Sequence, residues 1–386
     1  MPRLKGPSAP NDGVFLARCF RPGIGPSVAA VRDGELVDIT SRQAPTARDI
    51  CELADPAGFV EQATGERIGN AKSIAFNSNE SLRKDSRPWL LAPCDLQVIK
   101  ACGVTFAGSM IERVIEERAD GHPDRAEEIR SRIGRRIGAK LYDIEPGSEK
   151  AAAAKEALID EGLWSQYLEV GIGPDAEIFT KSPVLSAVGT GFRIGIHPGS
   201  IWNNPEPELV LVCNSKGGIV GATLGNDVNL RDFEGRSALL LGKSKDNNAS
   251  CSIGPYIRLF DREFGISDIA RTKIDLLVEG EDGFILESTS EMESISRPLP
   301  ELALQTLNEN HAYPDGYLLF CGTPFSPTKD RDAPGSGFTH HLRDIVTIRS
   351  PEFGALSNEV AHCAECERWH FSASHLMRNL AVRGLL

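Results

Sequence analysis

Apolar and polar positions along this chain fall into three rhythms, and each predicts a different kind of element. Between residues 14 and 40 the run VFLARCF, the turn Pro22-Gly23-Ile24-Gly25 and the stretch VAAVRDGELVDI, with Asp33-Gly34 inside it, read as short strands joined by tight turns. From 110 to about 163 the spacing turns helical. Ile129, Ile133, Ile137 and Leu141 recur every four residues, AAAAKEALIDEGL is rich in helix formers, and Pro146-Gly147 separates the two stretches. Beyond 170 the chain is mostly strands: EIFTKSP, ELVLVCNSKGGIVGATL, KIDLLVEG, FILEST, GYLLFCGTP and DIVTI. The polar stretch RKDSRPW before LLAPCDL sets a boundary near residue 93. The expected organisation is a small β-rich N-terminal domain over 1–93 and a larger domain over 94–386, of mixed, β-rich α+β class. One closed or coiled, largely antiparallel sheet is expected in the larger part, interrupted by a helical insertion.

Composition narrows the function. A chain of 386 residues suits two domains, and 41% apolar content is enough for a substantial core. The net charge of −12 argues against a nucleic-acid partner, which needs a basic stripe. An acidic substrate would therefore be held by a metal ion or by a few local Lys and Arg. No run reaches the roughly 18 apolar residues of a membrane span, and MPRLKGPSAPNDG reads as a polar tail without a signal-peptide core. Nine cysteines scattered through apolar segments read as reduced core thiols of a cytoplasmic protein. The cluster His362-Cys363-Ala364-Glu365-Cys366 with His370 resembles half a zinc site, but no second CxxC or His pair completes it.

Candidate chemistry centres on Asn204-Pro205-Glu206-Pro207-Glu208-Leu209-Val210-Leu211-Val212. Residues i and i+2 of a strand share a face, so Glu206 and Glu208 present two carboxylates side by side. Such a pair repels itself unless neutralised, and a hard, oxygen-seeking dication such as Mg²⁺, Mn²⁺ or Ca²⁺ does this. The alternative is two solvated acids on an exposed strand edge. A turn at Asn214-Ser215-Lys216-Gly217 lets the run Ile219 to Leu224 pair back on ELVLV, which carries Asp227 to the end where Glu206 sits. Three acids from one hairpin would make a facial metal site, whereas Asp227 alone could be an Asx turn.

These residues carry a resemblance. E-P-E-L-V followed by Gly225-Asn226-Asp227-Val228-Asn229-Leu230-Arg231-Asp232 is similar to the paired-glutamate and N-D-x-[ST]-A-R-D motifs of the fumarylacetoacetate hydrolase superfamily. Gly242-Lys243-Ser244-Lys245-Asp246, Ile253-Gly254-Pro255, Gly322-Thr323-Pro324 and Gly354-Ala355-Leu356-Ser357-Asn358 resemble its later segments in order, over about residues 95–360. The resemblance implies a fumarylacetoacetase C-terminal-like β-roll catalytic domain. It also implies Glu206, Glu208 and Asp227 as ligands of Mg²⁺, with Mn²⁺ as an alternative to it, and Lys243 as a substrate-contacting lysine. The implied partners are a small 2-keto acid and further copies of the chain in a homodimer or homotetramer, without nucleic acid or membrane. A phosphate-loop reading of Gly242-Lys243-Ser244 fails because Ser237 stands where that loop needs glycine.

One departure is informative. The family's hydrolases carry G-L-N-Y-x-D-H-x-x-E, whose His and Glu activate water; here the run from Gly103 keeps Glu112 but has Ser109 at the histidine position. A serine hydroxyl cannot replace imidazole as a base near neutral pH. The stretches TFAGSMIERVIEERA, LWSQYLEVGIGPDAEIFTKSP, WNNPEPELVL and GNDVNLRDFEGRSALLLGKSKDNNASCSIGP, with GFTH, are similar to the branch that dehydrates 2-keto-3-deoxy-D-pentonates (2-dehydro-3-deoxy-D-arabinonate or D-xylonate) to 2-oxoglutarate semialdehyde in non-phosphorylating pentose oxidation. This implies a hydro-lyase in which Glu112 shuttles a proton, Ser109 offers a hydroxyl and Lys243 stabilises negative charge. The competing reading is a C–C hydrolase of a 2,4-diketo-3-deoxy sugar acid that releases pyruvate. Lys181 in FTKSP, Arg231 and Thr323 are candidate substrate-binding residues, against structural roles as a strand cap or salt bridge. His197, His340 and His341 read as structural or exposed. The segment 110–163 is a candidate lid over the substrate.

Overall fold

A run such as Glu208-Leu209-Val210-Leu211-Val212, with no polar alternation after its acids, belongs in a strand covered on both faces. The computed structural model, which describes residues 12–134, 141, 144–325 and 328–386, places it there. The expected N-terminal tail, Ile137 and Gly138 lie outside the described residues. Leu209 and Leu211 face one apolar cluster, together with Leu224, Leu319, Leu276, Val346 and Leu356. Val210 and Val212 face another, with Phe320, Ile253, Ile257, Leu16 and Ile50.

Among the described residues, eleven strands form the principal sheet. From one edge the order is Glu66–Asn70, Glu35–Asp38, Gly25–Arg32, Phe15–Arg21, Cys251–Leu259, Ile219–Asp227, Pro207–Cys213, Tyr317–Phe320, Val98–Gly103 and Glu177–Ser182, with Trp89–Leu90 paired on Phe15–Arg21. A five-stranded sheet, Ile285–Glu291, Lys273–Glu279, Ile345–Ser350, Gly354–His362 and Arg193–Ile196, packs across the first cluster. Pairing is antiparallel except where Tyr317–Phe320 meets Val98–Gly103 and Gly354–His362 meets Arg193–Ile196 among the named strand pairs. The boundary expected near residue 93 does not interrupt the sheet. Phe15 pairs with Arg258 and Leu16 with Ile257, so the N-terminal strands extend the sheet that carries the hairpin.

The expected helical stretch is broken into Ala107–Arg118, Pro123–Ile129, a π-turn at Arg130–Gly134, and Glu149–Asp160. Pro123 occupies the first turn of its helix, where the missing N–H costs nothing. Met110, Val114 and Ile115 bury one side of the first helix against Leu158, Leu168 and Trp202. Its other side is free to face the sheet's Glu206 end.

Close packing behind the hairpin makes Gly225 a sensitive position: a Cβ there would stand 2.2 Å from the Phe320 ring and 2.6 Å from Val210. Gly225→Ala is expected to destabilise the fold by about 1–3 kcal/mol, the usual cost of overpacking a dense core. Urea unfolding should show a lower midpoint with an unchanged slope.

Candidate metal and catalytic site

Asn214 opens the hairpin turn by accepting the Lys216 and Gly218 N–H groups on its side-chain oxygen, at 3.0 and 2.9 Å. The register that follows pairs Pro207 with Asn226 and Glu208 with Gly225. Asp227 N–H then donates to the Glu206 carbonyl at 3.0 Å, and Glu206 N–H donates to the Asn226 side-chain oxygen at 3.0 Å. As a result one carboxylate oxygen from each of Glu206, Glu208 and Asp227 lies within 4.8 Å of the others. All three side chains are buried. The folded-back pair gathers three acids as the sequence suggests.

Cations surround them unevenly. Lys245 Nζ donates to Glu206 at 2.5 Å and to Asp227 at 3.0 Å, and Lys181 Nζ reaches the other Asp227 oxygen at 2.8 Å. Arg113 holds the second Glu206 oxygen at 2.5 Å while also pairing with Glu116 and Glu234. Burial works against ionising Asp227, but Lys181 and Lys245 more than offset it and hold the carboxyl below its usual range. Burial likewise opposes charge on Lys245, and Asp227, Glu206 and Glu234 reverse that, raising it well above the ordinary lysine value. Glu208 has no such partner. Its described hydrogen bond is the Gly322 N–H at 2.7 Å, and burial plus the charges of Asp227 and Glu206 push its carboxyl far up. An all-oxygen donor set with one uncompensated carboxylate suits a hard dication such as Mg²⁺, which restores the missing positive charge.

Two cavities of about 20 Å³ each adjoin the triad. Both are lined by Ser109, Arg113, Glu206 and Thr323. The first also carries Glu208, Asp227, Lys245, Phe179 and Glu177. The Glu177 carboxyl passes so close to Gly103 that a Cβ there would meet it at 1.9 Å, so a larger residue at 103 would displace that carboxyl. Burial and the neighbouring Glu234 raise Glu177 to about 7, despite the opposing fields of Arg113 and Lys245.

The remaining sequence candidates fall as follows. Ser109 lines both cavities while its hydroxyl donates to the Phe106 carbonyl at 2.8 Å and accepts the Phe106 N–H at 3.3 Å, closing the start of its helix. Thr323 is buried and accepts the Phe325 N–H. Lys181 is fully buried and bound to Asp227, not a strand-end cap. Glu112 lines the second cavity together with Glu206, with Arg130 gripping both its oxygens at 2.9 and 2.8 Å and Arg231 adding a bond at 3.2 Å. Arg231 is buried, stacks over Trp202 at 4.2 Å and pairs with Glu112 and Glu116 instead of a triad carboxylate. Lys243 needs correction: it is exposed, its ammonium over the Phe233 ring at 5.4 Å. The short helix Leu241–Lys245 turns Lys245 inward instead. His197 accepts the Gly199 N–H, His340 is buried beside Phe338 and Asp344, and His341 pairs with Asp332. Among the described residues, Glu206, Glu208 and Asp227 are the only trio of His, Cys, Asp or Glu placed to share an ion, which excludes the Cys363–Cys366 cluster.

Arg113, Glu177 and Lys245 are among the site residues that were missed, and the first two had a visible signal. Ser109, Glu112, Arg113 and Glu116 stand at i, i+3, i+4 and i+7, so one helix face carries them all. Glu177, Phe179 and Lys181 alternate along one strand, so identifying Lys181 implies the other two. Nothing in Lys243-Ser244-Lys245 says which lysine points inward.

No protein-family profile matches the chain. It is 32% identical over 184 residues to the 2-dehydro-3-deoxy-D-arabinonate dehydratase of Saccharolobus solfataricus, across 48% of this chain and 58% of that protein, so the match spans less than two thirds of the relative. It is 28% identical over 213 residues to a probable 2-keto-3-deoxyxylonate dehydratase of Haloferax volcanii, across 55% of this chain and 68% of the other. Among solved structures, a 2-keto-3-deoxy-D-arabinonate dehydratase in complex with magnesium and 2,5-dioxopentanoate superposes with a TM-score of 0.61 at 21% identity, over 90% of this chain and 99% of that one. A fumarylacetoacetate hydrolase from Exiguobacterium antarcticum superposes with a TM-score of 0.55 at 14% identity, over 90% and 99%. The β-rich mixed fold expected from the sequence is thus the one these structures share.

The raised Glu177 carboxyl makes a stability prediction. Its folded-state pKa of about 7 lies above the ordinary 4.5, so the folded protein keeps a proton that the unfolded chain releases. The associated stability is fully present below pH 4.5 and is lost as pH rises through 7. With chelator present, wild type should lose roughly 2–3 kcal/mol more than Glu177→Gln between pH 4.5 and 8, measured by urea denaturation.

Proposed function

We propose that this chain, which carries the fold of fumarylacetoacetate hydrolases, is a magnesium-dependent hydro-lyase that removes water from a 2-keto-3-deoxy-D-pentonate to give 2-oxoglutarate semialdehyde. The observation that carries the reading is a buried three-carboxylate centre beside a carboxyl poised to gain or lose a proton near neutral pH, with no imidazole lining either adjoining cavity. The names of the two archaeal relatives and of the magnesium-bound neighbour agree with it. Water-activated C–C cleavage lacks the His–Glu pair of the family's hydrolases, because Ser109 stands at the histidine position and spends its hydroxyl on the turn that starts its own helix.

Glu206, Glu208 and Asp227 would hold the ion. Bound there, Mg²⁺ supplies Lewis-acid stabilisation of the charge that builds on the keto oxygen. Glu177 takes over the proton-handling part that the sequence assigned to Glu112. A carboxyl that burial raises above its ordinary range can accept the C3 proton and deliver one to the departing C4 hydroxyl. Loss of a C5 proton and return of one to C3 then give the C4–C5 enol, and protonation at C4 with loss of the enol O–H proton yields the semialdehyde. Glu112, its oxygens taken up by Arg130 and Arg231, frames the far end of the site instead. Lys245, held protonated by its carboxylate neighbours, fixes Glu206 and Asp227 and faces the developing negative charge, the role expected of Lys243. Ser109 and Thr323 line the space where the hydroxylated tail would lie. Mn²⁺ in place of Mg²⁺, a homodimer or homotetramer, a cytoplasmic location and a functional division near residue 93 accompany this reading. They draw on the family likeness; no helix among the described residues is long and apolar enough to cross a membrane.

Cavities of about 20 Å³ admit a water or two, not a pentonate. The helices Ala107–Arg118 and Pro123–Ile129, part of the expected lid over 110–163, must therefore swing away for the substrate to enter. Limited proteolysis within 107–129 is expected to slow when Mg²⁺ and a 2-keto acid are added together; an unchanged cleavage rate removes the lid from the mechanism.

Incubation with Mg²⁺ and 2-keto-3-deoxy-D-xylonate is expected to yield the semialdehyde, and chelator to stop it. Glu206→Gln should abolish turnover, while Glu177→Gln should lower kcat by about 10²-fold or more yet keep the thermal upshift caused by Mg²⁺. Full activity in Glu206→Gln, or pyruvate release from a 2,4-diketo acid without semialdehyde formation, overturns the assignment.

A further inference from the structure

A further cavity, of about 260 Å³, lies away from the carboxylate centre and shares none of its residues. Its aromatic walls come from three parts of the chain. Phe20 and Trp89 belong to the N-terminal strands, Phe192 to the connection after Ser182, and Trp369 and Phe371 to the segment after the Cys363–Cys366 turn. Phe20 and Trp89 stack at 4.5 Å with their planes 19° apart, presenting a flat aromatic surface.

Arg83, from the polar stretch that marked the expected domain boundary, lies among these rings. Its guanidinium is 4.3 Å from the Phe192 centroid and 4.9 Å from that of Trp89. The side chain is only 11% exposed, and one terminal nitrogen donates to the Ser78 carbonyl at 3.1 Å. Its Nε has no hydrogen-bond partner among the described residues, and its ion pair is a loose 3.7 Å contact with half-exposed Glu367, with Glu80 and Asp85 adding further opposing fields. Desolvation holds it below the ordinary guanidinium value, the mark of a buried charge short of counter-charge. Arg18 and Arg368 also line the cavity, so three guanidinium groups face it against the one carboxylate of Glu367. Arg18 is committed to Asp95 and to the Ala92 carbonyl. An aromatic-walled space with an under-neutralised guanidinium favours a flat anion that can stack and pair at once.

One wall leads back to the carboxylate centre. Asn248 and Ala249 line the cavity. Asn248 donates to the carbonyls of Cys363 and Glu367 and accepts the Trp369 N–H, tying that wall to the 363–369 segment. Immediately beside it, Ser250 Oγ donates to the Lys245 carbonyl at 2.7 Å and lies 3.4 Å from Lys181 Nζ, which itself donates to that carbonyl at 2.5 Å. A six-residue loop thus carries a cavity wall at one end and the inward lysine of the carboxylate centre at the other.

We infer that this cavity is a second ligand site, for a flat aromatic carboxylate, and that its occupancy is transmitted to the Lys245–Ser250 loop. The inference is independent of the reaction proposed above. The test uses the full chain, without metal, and indole-3-carboxylate as the probe. Calorimetry is expected to give saturable binding at about 1 mM or tighter, with indole and acetate each at least about tenfold weaker because each lacks one of the two recognition elements. Arg83→Gln and Trp369→Ala should each weaken the probe by about tenfold or more. Trp369 is 45% exposed, so its truncation keeps the test open even if the Arg83 variant does not fold. Hydrogen exchange with the probe bound should slow in both 363–371 and 245–250. Absence of saturable binding, or unchanged affinity in a folded variant, overturns the site. Protection confined to 363–371 overturns the transmission to Lys245.

Discussion

Three carboxylates within 4.8 Å of one another, each nearly out of reach of water, are the constraint around which this molecule is arranged. At that separation each ionised pair costs about 3 kcal/mol for an effective dielectric near 20, and three pairs together approach the net stability of a typical fold. The chain meets the cost unevenly. Two lysines on Asp227 keep that carboxyl ionised, Arg113 and Lys245 engage both oxygens of Glu206, and Glu208, with only a peptide N–H, is pushed toward keeping its proton. The asymmetry makes the trio a receptor for positive charge: a dication relieves the repulsion and removes the reason for Glu208 to stay protonated.

Such a cluster has to be held by something that cannot relax, and the hairpin meets that need. Its strands lie at the centre of a sheet covered on both faces, so a sideways shift of the acids would drag Leu209, Val210, Leu211 and Val212 through close-packed clusters. The N-terminal strands reinforce this by extending the same sheet through the Cys251–Leu259 strand. The helix Ala107–Arg118 differs: it packs on a separate apolar cluster and touches the acids through polar side chains. Rigid acids under a separately packed polar helix make a site that can open at one wall without losing its metal-binding face.

What could be read from the sequence follows the same division. Period-two alternation and one turn sufficed for Glu206, Glu208 and Asp227, because a hairpin's register is fixed by local chemistry. The position of Lys181 on an alternating strand was legible too, and following that alternation back two and four residues would have reached Phe179 and Glu177. The choice between Lys243 and Lys245 was not, since a single helical turn, set by packing against the sheet, decides which lysine is buried. The helix face of Ser109, Glu112, Arg113 and Glu116 was visible as a polar stripe, but family likeness drew attention to Glu112 although Arg113 is the residue that reaches Glu206. The break near residue 93 marked a polar loop, not a gap in the sheet. Strand pairing between residues 15–16 and 257–258 is a tertiary fact that no local pattern encodes.

Arg113 also links opening to chemistry. It rides on the helix Ala107–Arg118, the proposed lid, and it holds the Glu206 oxygen that Lys245 does not. When the helix swings out, Arg113 leaves with Glu116, its partner on the same helix, so the guanidinium keeps a counter-charge while Glu206 gives one up. Such a movement would free a carboxylate oxygen, and Glu234 would lose the arginine that opposes its negative charge. Glu177 feels the Glu234 charge and the opposing Arg113 charge together, so withdrawing the arginine raises its proton affinity. Closure reverses both effects. In the proposed reaction one movement would thus both open the site and tune the Glu177 carboxyl, through two charge contacts with Arg113 and no change in the sheet.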